Sequence, residues 1–199
     1  MKNFALIGAG GYIAPRHLKA INESGNYLSA AMDINDSVGV LDQYFPRSLF
    51  FLDNSLFAGY IKNNKKQLNY LSICTPNHFH YEHIKLALEN GIDAICEKPV
   101  VISPAQIDDL SRIEEITGKK IYTILQLRHH SKLLDYKMKE QTSALKEKRE
   151  VELTYITGRG NWYFSSWKGD IEKSGGIAVN IGIHLFDLLI WLFGDVQES

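Results

Sequence analysis

Three short stretches of the chain carry residues whose types and spacing suit chemistry. In 95-ICEKPV-100 an acid, a base and a proline follow an apolar run. Proline disfavours the helical region for the residue before it, so Lys98 is expected to be extended at the carboxyl end of a strand, with its ammonium aimed in a fixed direction. An ammonium beside a reacting hydroxyl stabilises developing alkoxide charge; the plain alternative is a surface lysine.

The second stretch, 8-GAGGYIAPRH-17, directly follows the apolar run 3-NFALIG-8. A glycine-rich turn between a strand and a helix lets backbone amides at the helix N-terminus approach a pyrophosphate. Read as G-x-G-x-x-G from Gly8, the third glycine falls on Ile13. Read as G-x-x-G-x-x-A, the key positions are Gly8, Gly11 and Ala14, with alanine small enough for close helix–strand packing. Asp33 closes the next apolar run about 20 residues on, where an acid accepts hydrogen bonds from an adenosine ribose. Ile34 follows it, not an arginine that would hold a 2′-phosphate, so NAD is favoured over NADP. The alternative is a glycine turn with an incidental acid.

The third stretch is 74-CTPNHFHYEH-83. A metal set would need His78, His80 and His83 to converge. On a helix His80 and His83 share a face while His78 and His80 point apart, and no cysteine assists. The expectation is no metal, with Asn77 and His78 contacting a cofactor; capping of the following helix by Asn77 is the alternative.

The elements that must position these groups are legible as an alternation. Strand-like runs occupy 3–8, 27–33, 48–53, 69–75, 92–97 and 120–127, near-continuously apolar as parallel strands covered on both faces are. Helix-like stretches fall at about 13–24, 36–44, 54–66, 78–90 and 104–117, with Gly25, Gly91 and Gly118 just past helix ends and Ser103-Pro104 as an N-cap pair. This predicts an α/β fold, a doubly wound parallel Rossmann sheet over residues 1–126. Residues 127–199 have another texture: a charged helix 131–148, an alternating strand 150–158, a polar and aromatic loop 158–176 and an apolar helix near 178–193. They are expected to be the first part of an α+β domain.

Composition excludes several classes. With 199 residues, 45% hydrophobic, 23% charged and net charge −1, the chain is expected to be globular, not disordered or fibrous. Near-zero charge argues against a nucleic-acid or membrane-surface binder. Cys74 and Cys96 stand in apolar runs and are expected to be reduced core thiols of a cytoplasmic protein. No signal peptide is visible, and the apolar stretch 181–194, which carries His184 and Asp187, is expected to be a buried amphipathic helix.

The combination of G-x-x-G-x-x-A, Asp33, 75-TPNHFH-80, 97-EKP-99 and 184-HLFD-187 resembles the Gfo/Idh/MocA oxidoreductase family. Within it, 11-GYIAPRHLKAI-21, 35-NDSVGVLDQYFP-46, 125-LQLRHH-130 and 159-RGNWYFSSWKGDIEKSGGIAVNIGIHLFD-187 are similar to UDP-N-acetylglucosaminuronate 3-dehydrogenases of lipopolysaccharide and related surface-polysaccharide pathways. The resemblance implies cofactor contacts from Gly8, Gly11, Tyr12, Ile13, Asp33, Thr75, Asn77, His78, Glu97 and Lys98. It implies that Lys98 faces nicotinamide and substrate carbinol and that His184 is the general base, a core histidine being the alternative. Where the wider family has an aspartate one turn earlier, Asn180 stands here and cannot take a proton; Asp187 is a candidate to orient His184. Arg128, Trp162, Lys173 and Ser174, with Asn180 and His184, are the implied substrate contacts, packing under a long loop being the alternative for the loop residues.

The expected reaction is NAD-dependent oxidation of the C3 hydroxyl of a UDP-N-acetylated uronic acid, with 2-oxoglutarate as a reoxidant in some relatives. Family members exceed 199 residues and oligomerise through their C-terminal sheet. Two alternatives stand beside this reading: a family dehydrogenase for another sugar or inositol, and a truncated, non-catalytic NAD-binding fragment.

Overall fold

The structure, a computed structural model, describes residues 1–36, 38–142 and 150–196. It divides into two compact units, Met1–Ile124 and Leu125–Ser199.

In the first unit six described strands form one sheet: β1 (Asn3–Ile7), β2 (Tyr27–Met32), β3 (Leu49–Phe51), β4 (Tyr70–Ile73), β5 (Asp93–Cys96) and β6 (Ile121–Thr123). Their order is β3-β2-β1-β4-β5-β6, and every pairing is parallel. The helices between them are α1 (Ala14–Glu23), α2 (Val40–Tyr44), α3 (Asn54–Asn64), α4 (His80–Glu89) and α5 (Pro104–Thr117). Successive strand residues serve opposite faces. Ala5 and Ile7 enter one core with Phe57, Ile61, Ile84 and Leu88, while Phe4 and Leu6 enter the other with Ala14, Leu18 and Ile21. Burial on both faces is what the continuous apolar runs predict, and each fully buried leucine or isoleucine stabilises the unit by about 1.5–3 kcal/mol.

Helix ends follow local chemistry. Asp53 caps α3 by accepting from the Leu56 amide at 2.8 Å. Gln106 reaches back to the Ser103 amide in a capping box at the start of α5. Gly25, Gly91 and Gly118 lie beyond helix ends at positive φ. Several elements of the first unit are shorter than expected, α2 and β6 by the most. The Asp33 carboxylate accepts from the Asn35 amide, a local turn that competes with helix, so α2 starts only at Val40. Edge strand β6 leaves the sheet after the Ile124 amide bonds Cys96 O, and Gln126–His129 form a 3₁₀ turn instead.

The second unit contains α6 (Ser131–Thr142), 3₁₀ turns at Asn161–Tyr163 and Trp167–Gly169, α7 (Ile171–Ser174), a π-turn at Ala178–Gly182 and α8 (Ile183–Phe193). The expected extension of the charged helix to 148 lies outside the described residues. The expected strand 150–158 is not formed: the stretch is irregular and exposed, including Tyr155 and Ile156. A strand requires a hydrogen-bonded neighbour, and the described residues of this unit supply none. The expectation of a buried apolar helix is also corrected, since only Leu192 of α8 is buried and Phe186 and Ile190 are exposed. Ile171–Phe193 is long and apolar enough to cross a membrane by length and composition. Gly175 and Gly176 interrupt it at positive φ, however, and the 11 residues of α8 extend only about 16 Å.

Candidate active site

All the chemistry-bearing loops of the first unit leave carboxyl ends of strands, and β1 and β4 flank the point where strand order reverses. Open parallel sheets bind ligands there. The turn after β1 is pressed onto the end of β4. A Cβ on Gly8, whose φ is +88°, would sit 2.7 Å from the Cys74 carbonyl carbon, and one on Gly11 3.1 Å from Cys74 O. Gly8 and Ala9 amides bond Met32 O, the Gly11 amide bonds Gly8 O, and α1 begins at buried Ala14. Tyr12 is exposed and Ile13 occupies the position preceding α1.

Asp33 is buried just beyond β2 and accepts from the Gly10 amide at 2.9 Å and from the Asn35 amide at 3.0 Å. Its two oxygens retain lone pairs for ribose hydroxyls. A glycine cradle too close to the end of β4 for a side chain at Gly8, joined to a fixed acid at the neighbouring strand, fits an adenine dinucleotide.

After β4, Asn77–Phe79 form a 3₁₀ turn, so Asn77 is not the cap of α4; Phe79 occupies that position. Asn77 is buried, and the ring of half-buried His78 lies 4.0 Å from that of Phe79. His78 Nδ1 is buried without a hydrogen-bond partner. His83 Nδ1 lies 3.0 Å from Thr75 Oγ1, and burial with the neighbouring His80 lowers its pKa to about 4. His80 is fully buried, with Nδ1 2.7 Å from Pro99 O and Nε2 2.8 Å from Thr75 O. Burial also lowers its pKa, against the raising influence of those two carbonyls. The three histidines therefore serve separate contacts, and among the described residues no group of His, Cys, Asp and Glu is arranged to hold a metal.

Beyond β5, half-buried Lys98 precedes Pro99 through a cis peptide. Glu97 continues the ladder by donating its amide to Ile73 O at 3.2 Å. Its carboxylate turns to α1, where His17 Nε2 lies 3.0 Å from Oε1. His17 Nδ1 lies 2.8 Å from Ser72 Oγ. A proton on Nε2 donated to Glu97 leaves Nδ1 to accept from the serine hydroxyl, so a neutral ring satisfies both contacts. His17 was not distinguishable in sequence: it stands on α1 with no motif of its own. Cys74 and Cys96 are both free and buried, and burial raises both thiol pKa values, which makes them inert core groups.

In the second unit Arg128 forms a two-pronged pair with Asp187, Nε to Oδ2 at 2.9 Å and Nη2 to Oδ1. Asp187 thus holds Arg128 against α8. Asn180 is buried within the π-turn, and half-buried His184 is the second residue of α8, which follows it. Such wide turns are frequent at functional sites. The loop groups are partly engaged. Lys168 lies over the rings of Trp162 and Trp167, at 5.7 and 5.8 Å. Lys173 pairs with Asp170 at 3.2 Å. Fully buried Ser174 donates to Asp170 O at 2.7 Å and accepts from the Gly176 amide at 3.0 Å, which shapes the Gly175–Gly176 turn.

Residues 2–125 match the oxidoreductase family with an NAD-binding Rossmann fold, GFO_IDH_MocA, and residues 141–199 match that family's C-terminal alpha/beta domain. The chain belongs to this oxidoreductase family. Its first unit is an NAD-binding Rossmann domain, and the cradle and Asp33 are the parts that fit NAD. Over its whole length the chain is 48% identical to the WlbA (WbpB) dehydrogenase from Thermus thermophilus in complex with NAD and α-ketoglutarate, with a TM-score of 0.92. Against that dehydrogenase in complex with NAD and UDP-GlcNAcA it is 46% identical, with a TM-score of 0.91. It is also 30% identical, over 128 residues, to the D-glucoside 3-dehydrogenase of Escherichia coli, a match over 62% of this chain and 35% of that protein. The chain spans 64% and 65% of the two Thermus chains.

Proposed function

We propose that this oxidoreductase acts with NAD on the C3 hydroxyl of UDP-N-acetyl-2-amino-2-deoxyglucuronate, giving the 3-keto sugar for surface-polysaccharide synthesis. The carrying observation is the 46–48% identity, over the whole chain, to a dehydrogenase solved both with NAD and UDP-GlcNAcA and with NAD and α-ketoglutarate. NAD, when bound, supplies the hydride acceptor. His184 takes the hydroxyl proton, and Lys98 stabilises the oxygen as negative charge develops on it. Asn180 hydrogen-bonds but exchanges no proton, so the base role falls on His184. Arg128, Trp162, Lys173 and Ser174 belong to the sugar-nucleotide side of the reading, directly or by shaping the loop. A 2-oxo acid would take the hydride back from the reduced cofactor and leave as a 2-hydroxy acid, and the free, buried Cys74 and Cys96 accord with a cytoplasmic setting.

A second reading, a glycoside in place of the sugar nucleotide, is favoured by the similarity to D-glucoside 3-dehydrogenase. Calorimetric titration of UDP-GlcNAcA, and separately of the free sugar acid, into NADH-saturated protein distinguishes them. Saturable heat for the nucleotide sugar alone supports the first reading; equal heat for both sinks the role of UDP. Lys98→Met is expected to abolish turnover and keep NADH binding, and retained turnover removes Lys98 from the mechanism.

A further inference from the structure

The loops after β4 and β5 are neighbours at the carboxyl edge of the sheet, because the two strands pair in parallel. His80 joins them. It stands at the first position of α4, is completely buried, and directs its two ring nitrogens to carbonyls of different loops: Nδ1 to Pro99 O at 2.7 Å and Nε2 to Thr75 O at 2.8 Å. Pro99 O belongs to the peptide between Pro99 and Val100, so this bond holds the chain one residue beyond the lysine. On the amino side, Glu97 is tied to His17 at 3.0 Å, and through His17 to Ser72. The lysine is thus bracketed by two residues whose positions are set by histidines on α1 and α4. Such support from packed elements is what holds a reacting group to within a fraction of an ångström.

We infer that His80 is a positioning residue for Lys98, acting through an Nδ1–H bond to Pro99 O. It touches neither substrate nor cofactor in this role. The inference rests on the reading of Lys98 as the group facing the reacting hydroxyl. It goes beyond it by assigning a task to a histidine that motif reading weighs only as a metal ligand.

The test uses two substitutions that divide the imidazole. In His80→Asn the side-chain amide lies close to where Nδ1 was and still donates to Pro99 O. In His80→Gln the longer amide lies close to Nε2 and reaches Thr75 O instead. Leu110→Ala, a core change elsewhere in the unit, controls for stability loss. Lys98 is observed directly as its ¹³C-dimethylated ammonium by NMR, assigned with Lys98→Arg, and hydride transfer to NAD is followed with UDP-GlcNAcA.

His80→Asn and Leu110→Ala are expected to keep the wild-type Lys98 signal. His80→Gln should shift and broaden it and lower kcat about tenfold or more, with KM and NADH affinity nearly unchanged, since small displacements of a reacting group act on the chemical step. An unmoved Lys98 signal in folded His80→Gln, or equal behaviour of Asn and Gln, overturns the inference. If neither variant folds, ¹⁵N-histidine spectra of the wild-type protein decide. A proton on Nδ1 supports the assignment; a ring protonated at Nε2 alone sinks it. Failure of the wild type to oxidise the sugar nucleotide refutes the proposed substrate, while the Lys98 signal still judges the positioning.

Discussion

His17 Nε2 and Glu97 Oε1 lie 3.0 Å apart, joining residues eighty positions distant in the chain. The side chains are 9% and 14% exposed, and the second ring nitrogen is engaged by Ser72. The contact locks α1, which follows the glycine turn, to the segment carrying Lys98. His17→Leu removes the donor and strands the Glu97 carboxylate in a nearly dry site. A loss of about 1–3 kcal/mol is expected, with His17→Gln, which keeps a donor, losing less. All three tryptophans, Trp162, Trp167 and Trp191, lie in the second unit, so unfolding of the first is best followed by circular dichroism in urea. Equal midpoints for wild type and the leucine variant would remove the contact from the stability of this unit.

Gly8 and Gly39 offer a contrast within one domain. Gly8 has φ +88° and a backbone neighbour 2.7 Å from a Cβ, whereas Gly39 has φ −53° with nothing within 4 Å. Gly8→Ala is expected to displace the turn from Cys74 and weaken NADH binding about tenfold or more. Gly39→Ala leaves binding unchanged. Fluorescence titration of NADH reads both, and comparable affinities for the two variants would remove the tight turn from cofactor recognition.

Much of this cradle is legible in sequence because each part is local. Continuous apolar runs, Gly8 and Gly11 after the first strand, and Asp33 at the end of the second are constraints that neighbouring residues impose on one another. The strand order then places Asp33 beside the turn without further information. His17 and His80 are different, since their partners are 80 and 19 positions away and nothing about a histidine on a helix announces a carboxylate or a carbonyl there. Asp187 is close in sequence to His184, yet it serves Arg128 across 59 positions, because a guanidinium offers two parallel N–H groups to one carboxylate. The alternating pattern at 150–158 states a preference that only a partner strand realises, and α8 is apolar beyond what the described residues of its unit cover.

Asp33 is expected to set the choice of dinucleotide. Its carboxylate accepts from Gly10 and Asn35 amides and presents negative charge where a 2′-phosphate would lie, with Ile34 next in line. Asp33→Ser removes that charge while keeping a small hydroxyl acceptor for the Gly10 amide. The ratio of NADP to NAD affinity should rise about tenfold or more, mainly by loss of NAD binding. Parallel titrations with NADH and NADPH measure it, and an unchanged ratio would show that discrimination lies elsewhere in the cradle.

Acid should destabilise the first unit through its buried histidines. His83 titrates at about 4 in the folded chain against an ordinary value of 6.5, because burial, and then His80, oppose its charge. Between these two values the unfolded chain binds a proton that the folded chain refuses. Stability is therefore complete above pH 6.5 and declines as pH falls toward 4, by on the order of 3 kcal/mol from this residue alone. His80 is lowered in the same direction by burial, so it adds to the slope. His83→Gln keeps a polar group for Thr75 Oγ1 but does not titrate, and its stability should vary less between pH 7 and pH 4.5. Urea midpoints across that range, followed by circular dichroism, provide the comparison. An identical slope in the variant would assign the acid sensitivity to other groups.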